Sequence, residues 1–452
     1  MKHLHDIPSA FKHEFADPRL WWSRAVVVGM AAIAGLVVVG FTWLAEEALD
    51  LFHVFNAKAW WFTLLWTPLC AAVLVWLTRR YAIGAAGSGI PQVMAALDPS
   101  VGAEQRSLYV SLKLSAAKIG LTAGGLLGGL SLGREGPSVQ IAAGVMLAAR
   151  RWLPRQSAVS PHSLLVAGGA AGIAAAFNTP LAGVMFAIEE LSRSPEQRNS
   201  GLIVAGIVLA GMMAVSIHGN ATHFGVIHPG PIGLALALPG LLVTLVSGVA
   251  GGLFARLLLA SVRGNPLGKL SAWRSGRPVL FAAACGLVVA VIGVVSHGAT
   301  FGSGTVATRA MLDGAAEVPA AFVAFKYVAT WLTVWSGVPA GIFAPSLAIG
   351  AGIGHDIALL LHYPHAPALI ALGMVGFLAA ATQAPLTAFI IVMEMVDGHG
   401  MVLSLMACAV VASTVSRVLS EPLYGALAQL QLQRLPRTPL PATAAPDAPA
   451  TS

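Results

Sequence analysis

The chain has 452 residues, of which 57% are hydrophobic and 10% charged, with 49 glycines and a mean hydropathy of +0.78. An average soluble domain is about 25% charged, so a water-soluble globule of this size is excluded. The formal net charge of +7 does not mark a nucleic-acid binder, because the basic residues punctuate loops and form no single patch.

Residues 1 to about 22 read as a mixed-charge cytoplasmic segment closed by Trp21 and Trp22, an interfacial anchor. The first apolar run, RAVVVGMAAIAGLVVVGFTWLA (24–45), follows that polar stretch and is succeeded by more spans, so no cleaved signal peptide is expected. Further runs lie at 60–78, 231–262, 278–297 and 400–415. Some approach the roughly 20 residues of a spanning helix; many are shorter and broken by Gly or Pro. This is the pattern of an all-α polytopic membrane protein, with a transmembrane domain over 23–430. Between the runs stand Arg79 and Arg80, then Arg150, Arg151 and Arg155. Arg263, Lys269, Arg274 and Arg277 follow in a loop without any acid, and such loops face the cytoplasm. Cys70, Cys285 and Cys408 each sit alone in apolar surroundings and read as packing residues. Lys118 and Lys326 interrupt apolar runs and are expected to snorkel or pair. The tail, 431–452, is rich in Pro and Ala and is expected to be disordered.

Between the tails the chain repeats itself. GSGIPQVMAALD (87–98) matches GSGTVATRAMLD (302–313), and GREGPSVQIAAGV (133–145) matches GIFAPSLAIGAGI (341–353). NTPLAGVMFAIEE (178–190) then matches QAPLTAFIIVMEM (383–395). The spacings Ser88 to Pro137 to Pro180 are 49 and 43 residues; Ser303 to Pro345 to Pro385 gives 42 and 40. The repeats are placed at about 25–217 and 231–425. Two halves with Gly/Pro-interrupted helices in corresponding places point to a transporter with its site between them.

Each matched segment has the form of a loop entering a helix, with glycine for backbone freedom and proline suited to the first turn. A helix that begins inside the bilayer presents free N–H groups and the positive end of its dipole. Starts near 87–91, 133–137 and 341–345 would together cage a dehydrated anion with neutral donors, and Ser88 adds a hydroxyl. Neutral donors let the ion leave again.

Arg134 and Glu135 stand at such a start, within a membrane-like segment. Ionised, Glu135 is itself a tethered anion able to occupy the path; protonated, it swings away, which links proton binding to anion passage. The bland alternative is a structural Arg134–Glu135 ion pair. The second copy has Ile342 and Phe343 there, so any gate belongs to one half. Glu189 and Glu190 close their run and point about 100° apart on a helix. Glu394 matches Glu189 in register, which leaves Glu190 for function. Tyr424, in EPLYGAL, reads by itself as an interface-belt tyrosine.

GSGIP (87–91), GREGP (133–137), AAGIAAAFNTPLAGVMFAIEE (170–190), AGIFAP (340–345) and PLY (422–424) resemble the CLC family of chloride channels and chloride/proton antiporters, in order and spacing from about 25 to 430. The resemblance implies two inverted halves of short, broken and tilted helices, and a homodimer with a pathway in each subunit. Carried over by position, the hydroxyls of Ser88 and Tyr424 and the N–H groups of Ile342 and Phe343 would bind chloride. Glu135 would be the external gate and Glu190 the internal proton-transfer glutamate. Ser88 favours chloride over nitrate. Gln92 departs from the family's usual Glu, which puts the cytoplasmic proton entrance in question. No CBS pair follows, and the short form looks prokaryotic, hence a multi-pass protein of the cell inner membrane. The expected function is chloride/proton exchange, with a passive chloride channel as the alternative within the fold.

No cofactor is expected beyond the transported chloride and protons, and no nucleic acid. Neither HExxH nor GxSxG occurs. His362 and His365, in HYPHAP, lack a third ligand nearby, so no metal site and no enzyme are expected.

Overall fold

The computed structural model describes residues 18–433 except 155–156, 158, 193–199, 220–221, 228–232, 265–267, 315–317 and 320. The expected disordered tail lies outside the described residues from 434 onward, as does most of the N-terminal segment.

Helices make the whole scaffold. The first half comprises α1 (Pro18–Lys58), α2 (Trp60–Tyr81), α3 (Ile90–Leu97), α4 (Ala103–Arg106), α5 (Leu112–Leu127), α6 (Glu135–Ala148), α7 (Pro161–Phe177), α8 (Pro180–Phe186) and α9 (Ser200–His218). The second comprises α10 (Leu234–Arg263), α11 (Gly268–Gly276), α12 (Pro278–Val295), α13 (Thr305–Leu312), α14 (Phe322–Ser336), α15 (Phe343–Leu360), α16 (Ala366–Thr382), α17 (Pro385–Met395), α18 (Val402–Leu419) and α19 (Leu423–Gln433). Among the described residues the one isolated β-bridge joins Gly133 to Gly341.

The first helix starts ahead of the expected boundary at 23: Pro18 opens it, and it takes in Trp21 and Trp22. Proline suits a first helical turn, and nothing breaks the helix for its 41 residues. At 1.5 Å per residue it is roughly 60 Å long, about twice the hydrocarbon core. Six described segments are long and apolar enough to cross a membrane, among them α1, α2, α10, α12 and α15.

The most enclosed helices include short ones. α7 and α16, 17 residues each, are enclosed almost along their whole length. Each packs against the helix before it through glycine. A Cβ on Gly172 of α7 would lie 2.5 Å from the Ser138 carbonyl oxygen of α6, and one on Gly354 of α15 would lie 2.6 Å from Ile370 Cα of α16. Backbones that touch in this way gain van der Waals contact, which drives helix association where lipid is as apolar as the side chains. Glycines such as Gly168, Gly172, Gly350 and Gly354 line these close helix contacts. Large apolar side chains such as Trp43, Leu238 and Val418 point outward instead.

Candidate functional site

Three helix starts meet at the centre. The bridge between Gly133 and Gly341 joins the segments that lead into α6 and α15, with N–H to carbonyl bonds of 2.8 and 3.1 Å in the two directions. Both positions need glycine, because a Cβ on Gly341 would lie 2.6 Å from the Gly133 carbonyl oxygen. The loop into α3 closes on the same place. Gly89 adopts φ +113, and a side chain there would strike the Gly136 carbonyl at 2.5 Å. Ser88 is thereby held against Gly136, one residue from Glu135.

That loop is pinned by buried side chains. Gln92 accepts the Gly89 N–H at 3.0 Å and donates its amide to the Ala86 carbonyl. Lys118 donates to the carbonyls of Ala85, 2.8 Å, and Gly87, 2.5 Å. Gln140 donates to the carbonyls of Gly84, 2.8 Å, and Tyr109, 2.7 Å. Gln92, the departure from the family pattern, is thus a latch on the Ser88 loop. In the second half Lys326 repeats the device, donating to the carbonyls of Thr300 and Gly302 at 3.0 and 2.7 Å. Both lysines are wholly buried, so of the two expectations they pair rather than snorkel, and their partners are backbone carbonyls within the bilayer-spanning part. The signal was present, since each lies 19 residues before its motif proline, Pro137 or Pro345.

Glu135 is buried, 3% exposed, and its side chain reaches the other half. One carboxylate oxygen accepts the Ala344 N–H in the first turn of α15 at 3.3 Å. The adjacent arginine does not pair with it. Arg134 turns to Glu46 on α1, at 2.6 Å, so the structural ion pair exists with a different carboxylate. Sequence reading had no means of finding Glu46, because nothing local ties positions 46 and 134 together.

Beside α15 the Phe343 ring stacks on Tyr424, with centroids 6.0 Å apart and planes 18° apart, and meets Phe177 and Phe186 on its other sides. Tyr424 is buried, which rules out the interface-belt reading. Its hydroxyl and that of Ser88 lie near enough to interact, yet neither closes a hydrogen bond within the protein. Two buried hydroxyls left open cost about 1–3 kcal/mol each unless something fills the space between them. Glu135 and Glu190 both lie within electrostatic range of the Tyr424 hydroxyl. Ser88, Ile342, Phe343, Tyr424, Glu135 and Glu190 are therefore gathered into one region.

Two cavities open from it. One, of about 1210 Å³, is lined by Glu135, Arg134, Glu46, Asp50, His53 and His297. The other, of about 960 Å³, is lined by Glu190, Glu189, Arg256, Arg263, Arg417 and Glu421. Three of its lining residues are arginines, the bias expected of a cytoplasmic face. Glu189 does not face the centre. It accepts the N–H groups of Leu386 and Thr387 on α17, the structural part expected of it.

Solved structures with this fold include a slow cyanobacterial Cl−/H+ antiporter, 24% identical with a TM-score of 0.79, covering 92% of this chain and 99% of that one. A CLC-type fluoride/proton antiporter is 23% identical, TM-score 0.73, over 90% and 97% of the two chains. A eukaryotic CLC transporter is 19% identical, TM-score 0.75, over 91% and 74%. The family model of the voltage gated chloride channel matches residues 69–417. With that match over most of its length, on top of the broken helices and their converging starts, the chain belongs to the voltage-gated chloride channel, or CLC, family.

Proposed function

We propose that the protein exchanges chloride for protons, acting as a homodimer in the cell inner membrane with one pathway per subunit. The observation that carries this reading is the placing of Tyr424. Its open hydroxyl lies within electrostatic range of two buried carboxylates, Glu135 and Glu190, which line separate cavities.

Chloride enters from the outer cavity, leaves by the cytoplasmic one, and is held on the way by the hydroxyls of Ser88 and Tyr424 and by the N–H groups of Ile342 and Phe343 at the start of α15. The first N–H groups of a helix have no partner within it, and the dipole there favours an anion. Ionised Glu135 competes for the same helix start, as its contact with Ala344 illustrates. A proton removes its charge and with it most of that attraction. The neutral side chain moves into the outer cavity, the anion advances, and the proton leaves on the outer side. Glu190 supplies the next proton from the cytoplasmic cavity. The cations nearest the path are engaged elsewhere, Arg134 by Glu46 and the two lysines by carbonyls. The anion thus meets neutral donors, which release it.

Purified protein in liposomes under a chloride gradient tests this. Chloride-driven uphill proton movement is expected, abolished in Glu135→Gln and Glu190→Gln while chloride flux persists. Chloride flux without proton movement in the wild type makes the protein a channel. Because a fluoride/proton antiporter shares the fold, the same vesicles with fluoride decide the anion: faster fluoride-driven exchange would displace chloride as the substrate.

A further inference from the structure

Glu189 stands next to the proposed inner proton carrier, yet its carboxylate crosses to the other half of the molecule. Its oxygens accept the N–H groups of Leu386, 3.1 Å, and Thr387, 2.7 Å, in the first turn of α17. Glu394, near the end of α17, returns the contact, accepting the N–H groups of Leu181, 3.3 Å, and Ala182, 2.8 Å, in the first turn of α8. Each of these short helices is closed at its start by a carboxylate from the far end of the other unit. Charged acceptors on backbone N–H groups at a helix start make strong bonds, helped by the dipole. A carboxylate that must meet two particular N–H groups also fixes the rotation of the segment that bears it.

The two caps differ in what stands beside them. Met395 follows Glu394, buried and apolar. Glu190 follows Glu189 and is 7% exposed, on the edge of the cytoplasmic cavity. The backbone differs too. Over Ala187–Leu191 the chain takes a π turn, ending in a bond from the Ser192 N–H to the Ala187 carbonyl at 2.7 Å. The matching stretch of α17 stays α-helical to Met395. A π turn takes one more residue per hydrogen-bonded loop than an α turn and re-aims the side chains beyond it. With Glu189 anchored on α17, that wider turn leaves Glu190 buried at the edge of the cytoplasmic cavity, while Ile188 faces out, 58% exposed.

We propose that Glu189 is a positioning residue for proton transfer: its bond across to α17 pins the π turn that holds Glu190 between the cytoplasmic cavity and Tyr424. Glu394 is its structural counterpart and takes no part in coupling. This rests on the exchanger reading of the site.

The test records chloride and proton fluxes together in vesicles bearing wild type, Glu189→Gln, Glu394→Gln or Glu189→Asp, with thermal unfolding of each in detergent. Both glutamine variants are expected to unfold at similarly lowered temperatures. Only Glu189→Gln loses coupling, its proton flux falling by roughly tenfold or more at nearly unchanged chloride flux, since a group displaced by 1 Å can lose on the order of a hundredfold in rate. Glu189→Asp, which keeps the charge, recovers part of the coupling. An unchanged chloride-to-proton ratio in Glu189→Gln overturns the assignment, as does an equal change in Glu394→Gln. If Glu189→Gln does not fold, the aspartate variant decides, because a wild-type ratio there with the cap shortened also overturns it. Wild-type vesicles that move chloride without protons overturn the exchanger reading and this role with it.

Discussion

At the start of α6 the first half of the molecule carries Arg134 and Glu135; at the matching start of α15 the second half carries Ile342 and Phe343. Past the next pair of prolines the first half has Glu190 and the second Met395. The backbones around these places are alike. Lys118 and Lys326 each hold two loop carbonyls, Asn178 and Gln383 each end a helix in the left-handed region at φ 58 and 61, and Glu189 and Glu394 cap each other's helices. Shared residues keep the architecture, whereas among the described residues the carboxylates placed at the centre, Glu135 and Glu190, both belong to the first half. The difference teaches how a symmetric scaffold becomes directional: a charge is admitted to the bilayer interior where it has a task, and its counterpart position stays apolar.

The comparison is open to attack at several points. The largest effect is expected from the buried lysines. Lys118→Met and Lys326→Met each strip two buried carbonyls of their donor, at about 1–3 kcal/mol per carbonyl, and both should lower the unfolding temperature. Only Lys118→Met should also weaken chloride binding by calorimetry, because the loop it holds bears Ser88. Equal chloride affinity in the two variants would show that the loop Lys118 holds matters no more to the anion site than the one Lys326 holds.

A smaller effect separates the two serines. Ser88→Ala removes a hydroxyl proposed to hold the anion, and a hydrogen bond to a charged group is worth about 1.5–3 kcal/mol, roughly tenfold or more in affinity. Ser303→Ala should leave chloride binding unchanged, since Ser303 bonds the Thr305 hydroxyl at 2.8 Å. The smallest effect is at the cytoplasmic mouth, where two bonds from Arg263 hold the exposed Glu421 carboxyl below the usual carboxylate range. Its contribution to stability is whole at neutral pH, begins to fade as pH drops below about 4.3, and is gone beneath the lowered folded value. As an exposed pair it contributes little, so unfolding curves of wild type and Glu421→Gln should nearly coincide above pH 5 and converge fully in acid.

Much of the centre was legible because the broken helices announce themselves. Gly-rich loops with a proline in the first turn located the starts of α6 and α15 from the sequence alone, and the shared register of Glu189 and Glu394 marked them as counterparts. The partners were not legible. Nothing near Arg134 names Glu46, and nothing near Tyr424, which reads alone as a surface-belt residue, says that it stacks on Phe343. The lysines were seen as anomalies, but their task was hidden because carbonyls leave no trace in a sequence.

By itself the sequence determined the medium, the helical class, the two-fold repetition and the asymmetry of its charges, since composition, period and register are properties of the chain. Only the tertiary structure decided that Glu135 reaches across to Ala344, that Arg134 leaves it for Glu46, and that Tyr424 stacks on Phe343. These are contacts between residues from 81 to 209 positions apart. Such contacts depend on how closely glycine-lined helices pack and which way each buried turn is rotated, and no local pattern encodes either.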